Sequence, residues 1–427
     1  METRVAGQFD EKTFFKNLFA AAVAAADPRQ TLKNFLPERP RGRTIVVGAG
    51  KGAAQMAAAL EELWDGPLEG AVVTRYGYGA ATRQIEVIEA AHPVPDAAGL
   101  RGAERLLCLV EGLTEDDLVI ALVCGGGSAL LPSPAGDLSL ADEIAVNEAL
   151  LASGAPISAM NTVRKHVSTI KGGRLAAAAH PARVVSLIVS DIPGDDPALV
   201  SSGPTVPDRA TRQDALDVIR TYAIALPDAV MAHLSSPEAD APKPDEACFS
   251  GNAVHVIASA ARSLEAAAMV ASDAGIPAVI LSDSMEGEAR EVGGVHAAIA
   301  REVAMHGRPF QKPVVILSGG ETTVTLHRKG GRGGRNSEFL LALALGIEGV
   351  RGISAFAADT DGIDGSQDNA GAFADYRSAA RLREAGLDAK ELLAAHDAWG
   401  AFEALNDLFV PGPTGTNVND LRAILVR

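Results

Sequence analysis

The feature that most constrains this chain is a junction it uses repeatedly: a short run of β-branched and other apolar residues that stops abruptly at a cluster of glycines. In RTIVVGAGKGA, residues 43–48 read as a buried parallel strand, the glycines as a turn and residues 53–63 as the helix that follows. Further strands are expected at 71–74, 85–90, 117–124 and 183–190, with enough chain between them for crossover helices. Strands alternating with helices predict an N-terminal Rossmann-like, doubly wound parallel sheet.

Residues 235–246, SSPEADAPKPDE, are rich in proline and acid and lack a periodic apolar pattern, so the domain boundary is expected there. This gives an N-terminal domain over 1–240 and a C-terminal domain over 247–427. The second has helices at 258–274 and 288–305 and strands at 278–282 and 313–318. TTVTLH at 322–327 alternates with the two-residue period of a half-exposed strand, so the second α/β domain is expected to contain a mixed sheet.

At 427 residues the chain has room for two or three cores of roughly 150 residues each, and 47% hydrophobic content can fill them. No apolar run approaches the ~20 residues of a membrane span, and METRVAGQFDEKTFF has no secretory pattern. Cys108, Cys124 and Cys248 lack metal or redox spacing; Cys108 and Cys124 read as buried packing residues, and a reducing cytoplasm fits. A formal net charge of −16 argues against nucleic acid and anionic lipid as partners. An anionic ligand must therefore meet a local cluster of cations.

Such clusters lie in or beside glycine-rich segments: Lys51 in GAGKG, Arg164, Lys165, Lys171 and Arg174 in VRKHVSTIKGGR, and Arg332 and Arg335 in GGRGGRN. Glycine lets successive N–H groups face an anion, and a nearby cation supplies the countercharge. GAGKGA also fits a dinucleotide turn; the second strand ends in Thr74 and Arg75 rather than in the acid that would hold a ribose, while Arg75 suits a 2′-phosphate and keeps an NADP reading open. Gly125, Gly126, Gly127 and Ser128 follow the most apolar strand and read as an anion nest. The P-loop sequence GxxxxGK[ST] is absent. Asp191, Asp195 and Asp196 in SDIPGDDP suit either Mg²⁺ or turn formation. Glu321, Arg335, Asp359, Asp361 and Asp364 complete a set suited to phosphoryl transfer, in which positioning and charge neutralisation do most of the catalysis. Among nine histidines, His92 in AAHPVPD is the most site-like, although a structural role is the plainer reading. G-x-S-x-G is absent, which leaves a serine hydrolase unsupported.

The ordered set GAGKGAAQMA, AAHPVPD, CGGGSALLPSP, NTVRKHVSTIKGGRLA, SDIPGDDP, SSGPTVPD, GNAVHV, LSGGETTVT, GRGGRNSEF, AADTDGIDG and GPTGTNVNDL resembles the glycerate 2-kinase family, whose C-terminal part is the MOFRL domain. The resemblance implies transfer of the γ-phosphoryl of ATP to the 2-hydroxyl of D-glycerate with Mg²⁺, in a cleft between the domains. Some relatives carry a hydroxypyruvate reductase label, so an NAD(P)H-dependent reductase is the alternative. The family's catalytic lysine and arginine fall on Lys51 and Arg335. Asp191 is expected as the third catalytic residue; Gly125, Gly126, Gly127, Ser128, Lys165, Gly319 and Gly320 on the nucleotide; and Asp195, Glu321 and Asp361 on the metal. Which hydroxyl reacts, which hydroxy-acid is preferred and whether the chain forms a homo-oligomer stay open.

Overall fold

The computed structural model describes residues 9–326 and 331–427, which gather into two compact units. One is Pro28–Ala258; the other joins the chain up to Asp27 with Ser259–Arg427.

The Pro28–Ala258 unit is built on β1 (Thr44–Ala49), β2 (Glu69–Arg75), β3 (Ile85–Ala90), β4 (Leu118–Cys124), β5 (Arg183–Val189) and β6 (Ala253–Ala258). All pair in parallel, in the order β3-β2-β1-β4-β5-β6. β1 and β4 are buried along their whole length, as apolar runs without alternation require of central parallel strands. Chain order reverses between these two strands, and the loops at their carboxyl ends therefore form the crevice where open α/β sheets bind ligands. Val47, Val73, Leu106, Val119 and Ile188 are among the residues of the core beneath. A helical layer from Leu140–Ala152, Ile157–Lys165, Arg212–Thr221 and Asp228–Ser235 has its own apolar cluster, including Val146, Val163, Ile219 and Leu234.

The other unit contains β7 (Ala278–Ser282), β8 (Val314–Ser318), β9 (Ile353–Asp359), β10 (Gly371–Asp375), β11 (Leu408–Phe409) and β12 (Asp420–Val426). Their order is β11-β10-β9-β12-β8-β7; β7 and β8 are parallel and the remaining pairs antiparallel, so this sheet is mixed. The helix Glu11–Ala24, capped by Asp10, lays Phe14, Phe15, Leu18 and Phe19 against Leu264, Phe356 and Phe373 of this unit. The rings of Phe15 and Phe356 stack with centroids 5.9 Å apart. Among the described residues no helix is long and apolar enough to cross a membrane.

Three local features differ from the sequence reading. The proline- and acid-rich stretch does not part the units, because two Arg174 hydrogen bonds hold its carbonyls at Ala239 and Asp240, and β6 beyond it pairs with β5. The crossings fall at 27/28 and 258/259 instead. Residues 322–326 make only an isolated bridge, Thr323 with Glu288, since their backbone turns to the start of helix Ala289–His306: Thr323 N–H donates to Gly287 O at 2.9 Å and Thr325 N–H to Glu288 at 3.1 Å. His327, the last residue of that expected strand, lies outside the described residues. Cys124 is buried as expected, but Cys108 is exposed on the outer face of helix Ala97–Val110.

Candidate active site

At the reversal point, glycine geometry brings the ends of β1 and β4 together. Gly50 has φ +134°, and a methyl on it would lie 2.2 Å from Cys124 O, so only glycine permits this approach. Lys51 N–H then donates to Gly125 O at 2.8 Å, Gly52 N–H to Cys124 Sγ at 3.1 Å, and Thr74 Oγ1 to Lys51 O at 3.2 Å. The backbone of the turn is fixed, while Lys51 Nζ has no hydrogen-bond or ion-pair partner among the described residues of its unit.

The Gly125–Ser128 loop is packed as closely. A methyl at Gly125 would fall 1.6 Å from Asp191 Oδ2, which puts the Asp191 carboxylate against this glycine. A methyl at Gly126, where φ is +84°, would lie 3.1 Å from Lys51 Cγ and 3.2 Å from His92 Nε2. Ser201 Oγ sits over Gly127 and donates to Cys124 O at 2.6 Å. Ser128 and Ser202 share a hydrogen bond of 2.7 Å, and Ser202 donates to Asn161 Oδ1 at 3.0 Å. Ser201 and Ser202 adopt left-handed backbone, φ 53° and 59°, an uncommon state for non-glycine residues.

Electrostatics separate the groups of this turn. Burial, then the charges of Lys51 and Arg75, pull the His92 imidazole from 6.5 to about 4, so it is neutral near pH 7. Burial pushes the Cys124 thiol up to about 12 against the pull of the Gly52 N–H, so no thiolate forms there.

The side chains of the other basic run have partners within the unit. Lys165, expected on the nucleotide, is fully buried and ion-paired with Asp208. Lys171 is held by Glu143 at 2.6 Å and Leu131 O at 2.8 Å, and Arg164 by Asn147 at 2.9 Å.

In the other unit, Arg335 opens the helix Arg335–Gly346. Its Nε donates to Asp420 at 2.8 Å, Nη1 to Glu321 at 2.8 Å and Nη2 to Asp359 at 2.6 Å. Three carboxylates outweigh the effect of burial and raise its pKa further, so the guanidinium is permanently charged. Asp359 goes the other way: burial, with Asp420 and Asp361 nearby, overcomes Arg335 and holds its carboxyl well above the usual range. Buried Arg422 pairs with Asp420 and donates to Gly319 O at 3.1 Å and Thr322 Oγ1 at 3.1 Å. Asp364 accepts from Asn336 N–H at 2.9 Å and Ser337 N–H at 2.8 Å, so these helix N-terminal N–H groups already have a carboxyl partner. A cavity of about 360 Å³ opens beside Arg335, bounded by Thr322, Val324, Gly333, Gly334 and His396.

Gly319 and Gly320, also expected on the nucleotide, serve close packing: a methyl at Gly320 would lie 2.2 Å from Met285 N, and Gly320 O accepts from Asp420 N–H at 3.1 Å. The expected metal ligands are not assembled. Among the described residues no group of three or more His, Cys, Asp or Glu is arranged to hold a metal. Glu321 is engaged by Arg335, Asp361 Oδ1 accepts from Ile363 N–H at 2.8 Å, and Asp195 lies in a left-handed turn, φ 53°, after β5. Sequence reasoning assigned no role to Ser201, Ser202 or Asn161. SSGPTVPD was visible as a motif, but the link to Gly127 and Ser128 is a tertiary one.

Residues 14–235 match "Domain of unknown function (DUF4147)" and residues 314–420 match the "MOFRL family". A protein of Thermotoga maritima named D-glycerate 2-kinase is 40% identical over 94% of this chain and 94% of its own. Glycerate 2-kinase of Pyrococcus horikoshii is 38% identical, with 96% of each chain covered. An Agrobacterium vitis protein named "Putative hydroxypyruvate reductase" is 54% identical over 96% of this chain and 93% of its own. A crystal structure titled glycerate kinase, from Thermotoga maritima, superposes with a TM-score of 0.88 at 38% identity, covering 97% of this chain and 99% of that one. Fold and site thus define an α/β protein that joins a DUF4147 region to a MOFRL region. The chain belongs to the glycerate 2-kinase family.

Proposed function

We propose that the protein phosphorylates D-glycerate, using ATP as donor and the 2-hydroxyl as acceptor. The observation that carries this reading is Lys51: an ammonium without a partner among the described residues of its unit, at the sheet's reversal point and over a glycine loop backed by Asp191. Its relatives named glycerate kinase supply the substrate class.

The Gly125–Ser128 backbone holds nucleotide phosphate, and the braced serines keep the loop rigid while substrates come and go. Lys51 neutralises charge that develops on the transferred group. The donor set suits Mg²⁺, which is usually held by one or two carboxylates plus substrate phosphates instead of an all-protein cage; Asp191 is the candidate carboxylate. When bound, Mg²⁺ neutralises phosphate charge.

A coupled ATPase assay with D-glycerate and Mg²⁺, followed by ³¹P NMR of the product, tests the reading. ADP formation that depends on glycerate and gives 2-phosphoglycerate is expected; a 3-phosphoglycerate product refutes the 2-position, and absence of turnover refutes the kinase.

One observation favours a second reading, an NAD(P)H-dependent hydroxypyruvate reductase: Gly48, Gly50 and Ala53 form a dinucleotide-type turn on a sheet of the 3-2-1-4-5-6 order. Against NADH, β2 ends in Thr74, whose hydroxyl is tied to Lys51 O, and Arg75, so no acid is placed for the ribose, whereas Arg75 suits the 2′-phosphate of NADPH. Oxidation of NAD(P)H by hydroxypyruvate, followed at the nicotinamide band, decides between them.

A further inference from the structure

One polar side chain at the Lys51 turn has no task so far. His92 follows β3 and turns its Nε2–Cδ2 edge to the Gly126 loop: a methyl at Gly126 would stand 3.2 Å from Nε2 and 3.3 Å from Cδ2, with Lys51 Cγ at 3.1 Å. Neither ring nitrogen has a hydrogen-bond partner among the described residues of the unit. Two other histidines of this unit, by contrast, are tied to backbone: His166 Nδ1 lies 2.6 Å from Thr162 O, and His233 Nε2 lies 3.1 Å from His166 O.

Its neighbours that could take a proton are engaged. The Cys124 thiol is protonated and accepts from Gly52 N–H; Ser128, Ser201 and Ser202 bond one another or backbone; Asp191 lies against Gly125 and interacts within the fold. An imidazole lone pair beside an uncommitted ammonium suits a neutral hydroxyl next to an anion.

Resting on the phosphoryl-transfer reading above, we propose that His92 Nε2 accepts the proton of the hydroxy-acid's hydroxyl as that oxygen attacks the γ-phosphorus. The new O–P bond forms, the bond from phosphorus to the bridging oxygen breaks, and its electron pair leaves on ADP. The hydroxyl proton goes to Nε2 and then to water, one per turnover. Lys51 on the β1 turn and Arg75 at the end of β2 are the charges that depress the ring's basicity. A bound polyphosphate offsets both, and so makes the imidazole a stronger base when the substrates are in place. This assignment leaves Asp191 to the metal.

The test compares His92→Ala and His92→Gln with wild type in the glycerate assay, with thermal melts to confirm folding. Loss of a general base lowers kcat about 10²-fold or more, with KM for ATP little changed. Added imidazole restores His92→Ala in proportion to its free-base fraction, and His92→Gln stays as slow as the alanine variant. Wild-type kcat in His92→Ala overturns the proposal. So does a slow His92→Ala that imidazole fails to restore, and so does recovery in His92→Gln, because each marks a merely structural ring. A wild type without glycerate-dependent turnover sinks the kinase reading itself, and His92 with it; an active wild type beside an unimpaired His92→Ala sinks only His92.

Discussion

Lys51 and Lys165 carry the same ammonium in similarly basic, glycine-rich sequence, yet the fold spends one and spares the other. Lys165 neutralises Asp208, whereas Lys51 Nζ has no hydrogen-bond or ion-pair partner among the described residues of its unit. Lys51→Ala is expected to lower kcat by about 10²–10³-fold, the usual loss on removing one well-placed donor, with the urea midpoint near wild type. Arg335→Ala is different, because it strips the cation from buried Asp359 and removes one from Asp420. Breaking a buried pair from one side costs up to about 3–5 kcal/mol; Asp420 keeps Arg422 and the high-pKa Asp359 carboxyl can take up a proton, so urea unfolding should show a smaller loss than that alongside the loss of activity. The His296 imidazole, also pulled from 6.5 to about 4 by burial, gives a pH signature. A depressed folded-state pKa contributes stability that is present above the unfolded value and lost as pH falls toward the folded one. Wild type should therefore lose stability between pH 6.5 and about 4 more steeply than His296→Gln does; equal slopes in urea titrations refute this.

At the scale of elements, β1, β3, β4 and β5 fall within about one residue of their expected ends, because apolar strand, glycine turn and alanine-rich helix are all local signals. The same signals placed Lys51, Gly125–Ser128 and Asp191 in one neighbourhood. Where the backbone departs from the expected strand, a tertiary partner decides: Glu288 captures the backbone at Thr325. Tertiary partners that the sequence does not show also surround Lys165, paired with Asp208, and Gly320, packed on Met285. β9, β10 and β12 were not anticipated, since the alanines and acids of β9 and β10 resemble helix or turn until the ladders bury them. The loop makes a prediction of its own. Gly126→Ala imposes left-handed strain of about 1–3 kcal/mol and pushes on Lys51 and His92, so kcat should fall by more than the melting temperature suggests. Gly112→Ala is the control, with φ +68° and open space around its Cβ: it should lose stability and keep kcat.

At the scale of the molecule, the Pro28–Ala258 unit is inserted between two pieces of the other. Phe15 is buried with Phe356 in the unit that contains the mixed sheet, so Phe15→Ala should cost about 3–5 kcal/mol in that unit. Limited proteolysis should cut within Ser259–Arg427 first and leave Pro28–Ala258 as the surviving fragment. Loss of both units at the same protease concentration contradicts this.

The same insertion sets an order of events during synthesis. Ala22 O waits for the Ser263 hydroxyl, 241 positions later, and Ala26 O for Thr416, 390 positions later. At about 5–20 residues per second, the aromatic face of helix Glu11–Ala24 stays without its partners for tens of seconds, while the parallel sheet emerges and closes behind it. On the ribosome this helix is the segment most in need of a temporary cover, and the last strands to leave the tunnel are those that finally shelter it.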